Sequence, residues 1–187
     1  MKRTRLRFLI AAALVLSAGT AWGAGFSLTF KGGYFMPSDE VFKEVYGSGP
    51  VFGAEIAVPI AGGLHGWAGA EYFTKKGLLP VTEEETSTRI VPVFAGLRYH
   101  IGHSGVRPYL GAAAGYFMLH EENPLGTASE SGFGFLVRAG LLIKIAGSVS
   151  FDLHGNYSSC TIKTDGPDPL EAKIGGLQAG AGLVIRF

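Results

Sequence analysis

Five charged side chains, a histidine and an amide stand where alternation turns them away from neighbouring hydrophobic residues: Glu55, Glu71, Arg98, Arg138, Asp152, His154 and Asn156. Acids and bases on one kind of face imply ion pairing if that face is enclosed, because an unpaired buried charge is strongly disfavoured. The expectation is a polar network centred on Arg98 and Arg138. Glu55, Glu71 and Asp152 would hold it, with His154 and Asn156 adding hydrogen bonds. A catalytic reading competes, since Asp152, His154 and Ser158 supply an acid, a base and a hydroxyl. Along a strand, however, a serine four positions from a histidine lies about 13 Å away, beyond direct proton transfer. His120-Glu121-Glu122 carries metal-ligating types, but consecutive loop residues rarely converge on one ion. Gly132/Gly134 and Gly180/Gly182 lack the following helix that a phosphate loop needs. The expectation is a chain without catalysis, metal or cofactor.

The elements that must position these side chains are strands. Phe26 to Met36, Val51 to Ile60, Leu64 to Thr74, Arg89 to Ile101, Arg107 to Leu119, Gly132 to Ile145, Val149 to Ser158 and Ile174 to Phe187 read as strands. Most show a hydrophobic period of two. The sixth is the clearest: Phe133, Phe135, Val137, Ala139, Leu141, Ile143 and Ile145 share one face, with Arg138 and Lys144 on the other. The third places His65, Trp67, Gly69 and Glu71 inward, although Trp67 also suits a lipid interface. The phase of the fifth is open, because its Ala and Gly residues suit either face. Pro92 predicts a bulge or irregular pairing in the fourth. A helical turn around Val41 to Val45, capped by Ser38 or Asp39, is expected between the first two strands.

The connections alternate long and short. Pro37–Pro50, Lys75–Thr88, His120–Ser131 and Lys163–Lys173 are polar loops; Gly62-Gly63, Gly102–Gly105 and Ala146–Ser148 are tight turns. That sorting implies an all-β fold, an eight-stranded antiparallel up-and-down transmembrane β-barrel. Its long loops would lie on one side of the membrane and its tight turns on the other. Strands of roughly 9–11 residues suffice to cross at the usual tilt. Eight strands leave an interior that side chains just fill, and inward Gly176, Gly180 and Gly182 offer room for larger neighbours.

Composition agrees. Of 187 residues, 29 are glycine and 47% are hydrophobic, with no collagen-like period. Residues 1–23 read as a signal peptide, with a basic start, the apolar run Phe8 to Ala18 and cleavage after Gly23. Without Lys2, Arg3, Arg5 and Arg7, twelve basic residues face fifteen acidic ones, which excludes a nucleic-acid footprint. Cys160 is the only cysteine, so no intrachain disulfide is expected. No other stretch is apolar over the ~18 residues that a spanning helix needs.

Two segments carry a family resemblance. Ile174 to Phe187 alternates and closes on Leu183, Ile185 and Phe187. Ala95-Gly-Leu-Arg-Tyr followed by Arg107-Pro-Tyr-Leu-Gly-Ala-Ala-Ala-Gly-Tyr reads as a hairpin. Both resemble small bacterial outer-membrane β-barrel proteins of the OmpA transmembrane, OmpX and OmpW type. The layout extends over residues 24–187. The resemblance implies a stand-alone barrel in the outer membrane of a Gram-negative bacterium. It also implies that Leu183, Ile185 and Phe187 form the signal read by the barrel-assembly machinery.

The expected role is structural or interactive, in envelope integrity or adhesion through acidic extracellular loops, as a monomer among outer-membrane lipids and lipopolysaccharide. The four long loops, with Arg89 at the edge of the second, carry twelve acids and six bases. They imply a solvated acidic surface, a contact with lipopolysaccharide bridged by divalent cations, or binding of a basic partner. Two alternatives stand beside this role: a small-solute pore, and an enzyme that modifies lipid A.

Overall fold

The structure, a computed structural model, describes residues 25–78, 85–102, 104–123, 126–163 and 171–187. The expected signal peptide lies outside the described residues, as do Glu83, Glu84, Asp165 and Asp168. The elements are β1 (Ser27–Pro37), α1 (Glu40–Tyr46), β2 (Gly49–Ala61), β3 (Leu64–Leu78), β4 (Glu85–His100), β5 (Val106–Asn123), β6 (Gly126–Ala146), β7 (Val149–Lys163) and β8 (Glu171–Arg186). Each strand pairs antiparallel with the next. β8 returns to β1, from Ser27↔Arg186 to Pro37↔Gly176, which closes the barrel.

Alternation decides the two faces. In β6, Leu136 is 1% exposed while Phe133 is 81% exposed. Large apolar side chains point outward around the wall, among them Phe30, Tyr34, Phe52, Tyr72, Leu97, Leu110, Phe135, Leu153, Leu177 and Leu183. A protein in water does not carry so wide an apolar belt, whereas a wall facing hydrocarbon requires one. No helix among the described residues is long and apolar enough to cross a membrane. The inward phases left open by the sequence resolve here. Trp67 is buried in β3, and Tyr109, Ala113 and Phe117 are buried in β5.

The tight turns lie at one end and the long connections at the other. Gly62 and Gly63 have φ of 52° and 92°, the left-handed pair that a two-residue hairpin turn demands. At the long-connection end, Asp39 caps α1 by accepting a 2.9 Å hydrogen bond from the Phe42 amide. α1 tucks over the barrel mouth. Phe42 packs on the interior cluster, and the Tyr46 hydroxyl lies 3.1 Å from Thr86 Oγ1. Burial pushes the Tyr46 phenol up to about 12, so it stays neutral.

The structure corrects two expectations. Every strand but β1, which has 11 residues, is longer than 9–11 residues, reaching 18 in β5 and 21 in β6. Most of the expected loop His120–Ser131 is a paired ribbon, registered from Leu119↔Glu130 to Asn123↔Gly126. Lys75 likewise pairs with Thr88. Backbone pairing outlasts hydrophobic alternation, because outside lipid an outward side chain has no reason to be apolar. Of the bulge or irregular pairing expected at Pro92, the structure shows the second: the β3–β4 register is the same at Ala70↔Val93 and Phe73↔Ile90, and pairing lapses between them. The register shifts sit beside turns instead, at Pro59/Ala61 and Lys144/Ala146.

One close approach gives a test of packing. A Cβ on Gly140 would lie 2.5 Å from Tyr109 Cζ and 2.6 Å from the Leu153 carbonyl oxygen. Gly140→Val should destabilise the barrel by about 1–3 kcal/mol. The measurement is the urea midpoint of the folded, heat-modifiable gel band; an unshifted midpoint would show that the wall yields there freely.

Candidate functional site

The inward faces meet in a layered interior. Toward the long-connection end, Phe35, Val51, Phe73, Ile90, Phe94, Phe117, Leu136, Ile162 and Ile174 form an apolar plug. The residual cavity against it is about 20 Å³, enough for one water molecule.

Nearer the tight turns the interior becomes ionic. Arg98 Nη1 donates to Glu55 Oε1 at 2.5 Å, and Arg138 Nη1 donates to Glu55 Oε2 at 2.6 Å. Lys31 Nζ lies 3.3 Å from Glu55 Oε2 and 2.9 Å from Glu71 Oε1, and Arg138 Nη2 lies 3.6 Å from Glu71 Oε1. A second group surrounds Asp152, which accepts from the Tyr109 hydroxyl at 2.7 Å and from His154 Nδ1 at 2.8 Å. Arg138 Nε donates to Asn156 Oδ1 at 2.7 Å, and the Arg98 guanidinium lies 5.6 Å from the Tyr109 ring centre, which sets the two groups side by side.

The network draws on β1 to β7, and β8 makes room for it. Gly182 faces Thr29 and Lys31, and Gly180 faces His154 Nε2. The side chains of Lys31, Glu55, Glu71, Arg98 and Arg138 are between 1% and 7% exposed. Trp67 floors the cluster, with the Arg138 guanidinium 4.5 Å from its ring centre. Lys31, Arg98 and Arg138 balance Glu55, Glu71 and Asp152, so the buried group carries no net charge when all six are ionised.

The structure thus places all seven expected residues in the interior, as an ionic cluster beside an Asp152–His154 pair, and the centre of the cluster is Glu55 rather than the two arginines. Lys31 was missed as a member. Its signal was present in the alternation of Thr29, Lys31 and Gly33 against Phe30 and Gly32. No triad forms around His154: its Nδ1 is committed to Asp152, and its Nε2 has no partner. Ser158 lies higher up, against the apolar cavity. His120 is held by Ser129 at 2.7 Å and Glu122 at 3.1 Å, on the outer ribbon. Leu183 and Phe187 are exposed on the wall, Ile185 is half-buried, and Phe187 stacks on Phe26 with ring centres 4.9 Å apart.

Removing the shared carboxylate should release several charges at once. Glu55→Gln leaves Arg98 buried without a counterion and Arg138 with only its longer contact to Glu71, and should cost about 3–5 kcal/mol. Urea unfolding in detergent or lipid measures it. A midpoint equal to the parent's would mean that water, not Glu55, neutralises the interior.

Comparison with known proteins supports the fold. Neither protein families nor curated proteins gave a sequence match. Among solved structures the chain is similar to Neisserial surface protein A, with 18% identity, TM-score 0.66, and 89% of this chain and 100% of that one covered. It is similar to the outer membrane protein OprG from Pseudomonas aeruginosa, with 13% identity, TM-score 0.64, and coverage of 88% and 96%. It is also similar to Escherichia coli Outer Membrane Protein W, with 14% identity, TM-score 0.57, and coverage of 90% and 100%. At these identities the shared property is the fold, the closed barrel of bacterial outer-membrane proteins.

Proposed function

We propose that this chain is an integral, monomeric protein of the bacterial outer membrane. In this reading it is a sealed structural element that meets its surroundings through its long-connection end. The observation that carries the reading is the filled interior. An apolar plug stacked on a neutral ion cluster leaves about 20 Å³ of space against the plug. A solute pore needs a continuous wet path, and a lipid-modifying enzyme needs a nucleophile within reach of its base. The plug opposes the first, and the unpartnered His154 Nε2 opposes the second.

The outer end is built for contact. The β5–β6 ribbon stands beyond the apolar belt, with Glu121, Glu122 and Glu130 along it. Beside α1, an open recess of about 510 Å³ is lined by Asp39, Glu40, Ser159 and Lys173. The reading assigns this acidic surface to solvent and to cation-bridged lipopolysaccharide. It assigns Leu183, Ile185 and Phe187 to recognition by the barrel-assembly machinery.

Two measurements test the reading. Purified protein in a planar bilayer should give no discrete conductance steps; reproducible single-channel openings would overturn the sealed interior. In cells the protein should fractionate with the outer membrane and shift its gel mobility on heating. Recovery from the aqueous fraction would overturn the location.

A further inference from the structure

Below the neutral network, at the tight-turn end, the mouth of the barrel carries basic side chains with no ion-pair partner among the described residues. Arg107 follows the inward phase of buried Tyr109, and Arg186 that of buried Val184. Register sets Arg107 opposite Leu142 and Arg186 opposite Ser27, at the mouth. Arg107 is half-buried and Arg186 exposed, on strands that close one narrow lumen, and His100 pairs in register with Tyr109, two residues from Arg107. Lys144 is exposed on the rim and pairs in register with Ser150. Among the described residues, no carboxylate forms an ion pair with Arg107, Lys144 or Arg186. The nearby acids are taken: Asp152 by Tyr109 and His154, and Glu55 by Lys31, Arg98 and Arg138.

His100 points to what the mouth lacks. It is 5% exposed, stacks on Tyr109 at 5.3 Å and lies 4.5 Å from His65, ring centre to ring centre. Both of its ring nitrogens are without a partner, as is the buried Nε of Arg98. His65 is anchored through Nδ1 to the Gly63 carbonyl at 3.0 Å. Two histidines are metal-ligand types, but the arginines that share this mouth repel a cation. The same field attracts an anion, and guanidinium N–H groups match a tetrahedral oxyanion in geometry.

We propose that this mouth is a binding site for a small oxyanion of the phosphate class, held by Arg107 and Arg186, with His100 and the rim Lys144 completing the cup. The source is a free phosphate or phosphorylated solute, or the headgroup of a neighbouring phospholipid. Assigning this mouth to the periplasm rests on the outer-membrane reading, whereas binding by the purified barrel does not.

The test is calorimetric titration of inorganic phosphate into the folded barrel in a non-ionic, phosphate-free detergent. Saturable binding is expected, competed by sulfate. Arg107→Gln/Arg186→Gln should weaken it at least tenfold while the heat-modifiable band is retained. Lys144→Gln, on the exposed rim, should weaken it less and guards against a folding failure in the double variant. Arg89→Gln, on the outer wall at the far end, should leave it unchanged. In nanodiscs, loss of phosphate binding as phosphatidylglycerol is added would identify the lipid headgroup as the source, and unchanged binding a soluble one. Absence of saturable binding, or equal binding by the double arginine variant, would overturn the proposal.

Discussion

A backbone in hydrocarbon has no water to bond with, so every strand edge must find another strand. Closure of β8 onto β1 is the consequence, and the rest of the molecule follows from it. A closed ring of eight strands encloses little space, and its inward residues have to fill that space without leaving ions or polar groups stranded. The outer wall faces the opposite demand, which is why Phe30, Phe52, Leu110 and Phe133 are exposed while Lys31, Glu55 and Arg138 are buried.

The interior meets its demand in two ways. Toward the outer end it behaves like the core of a water-soluble protein, with aromatic rings in edge contact, such as Phe94 against Phe117. Lower down it uses charge. Glu55 collects two arginines and a lysine from three other strands, so it acts as a cross-brace as well as a counterion. A purely apolar filling would satisfy hydrophobicity equally well. The ionic one also specifies which strands face one another, because each carboxylate has to find a particular cation across the lumen.

Much of this was legible before any coordinates. A period of two is a local property, so the eight strands, their order and the sorting of long and short connections could be read residue by residue. The faces of Arg98, Arg138 and Asp152 followed from the same rule. What escaped was non-local or lay outside lipid. Lys31 sits in plain alternation, but nothing in β1 says that its ammonium reaches Glu55 and Glu71 on two other strands. The centre of the network could not be read, because it depends on how strands separated in sequence meet across the lumen. The ribbon from His120 to Ser131 reads as loop in the sequence because its side chains alternate nothing, while its backbone still pairs. Trp67 was ambiguous for a different reason: an indole suits both a membrane interface and a cation stacked over its ring.

The account therefore turns on Glu55 as the junction that binds strands together inside a sealed barrel. A double-mutant cycle between Glu55→Gln and Arg138→Met, read by urea unfolding in lipid, addresses it directly. The account predicts a coupling energy above about 1 kcal/mol. Additivity of the two substitutions within about 0.5 kcal/mol would contradict it.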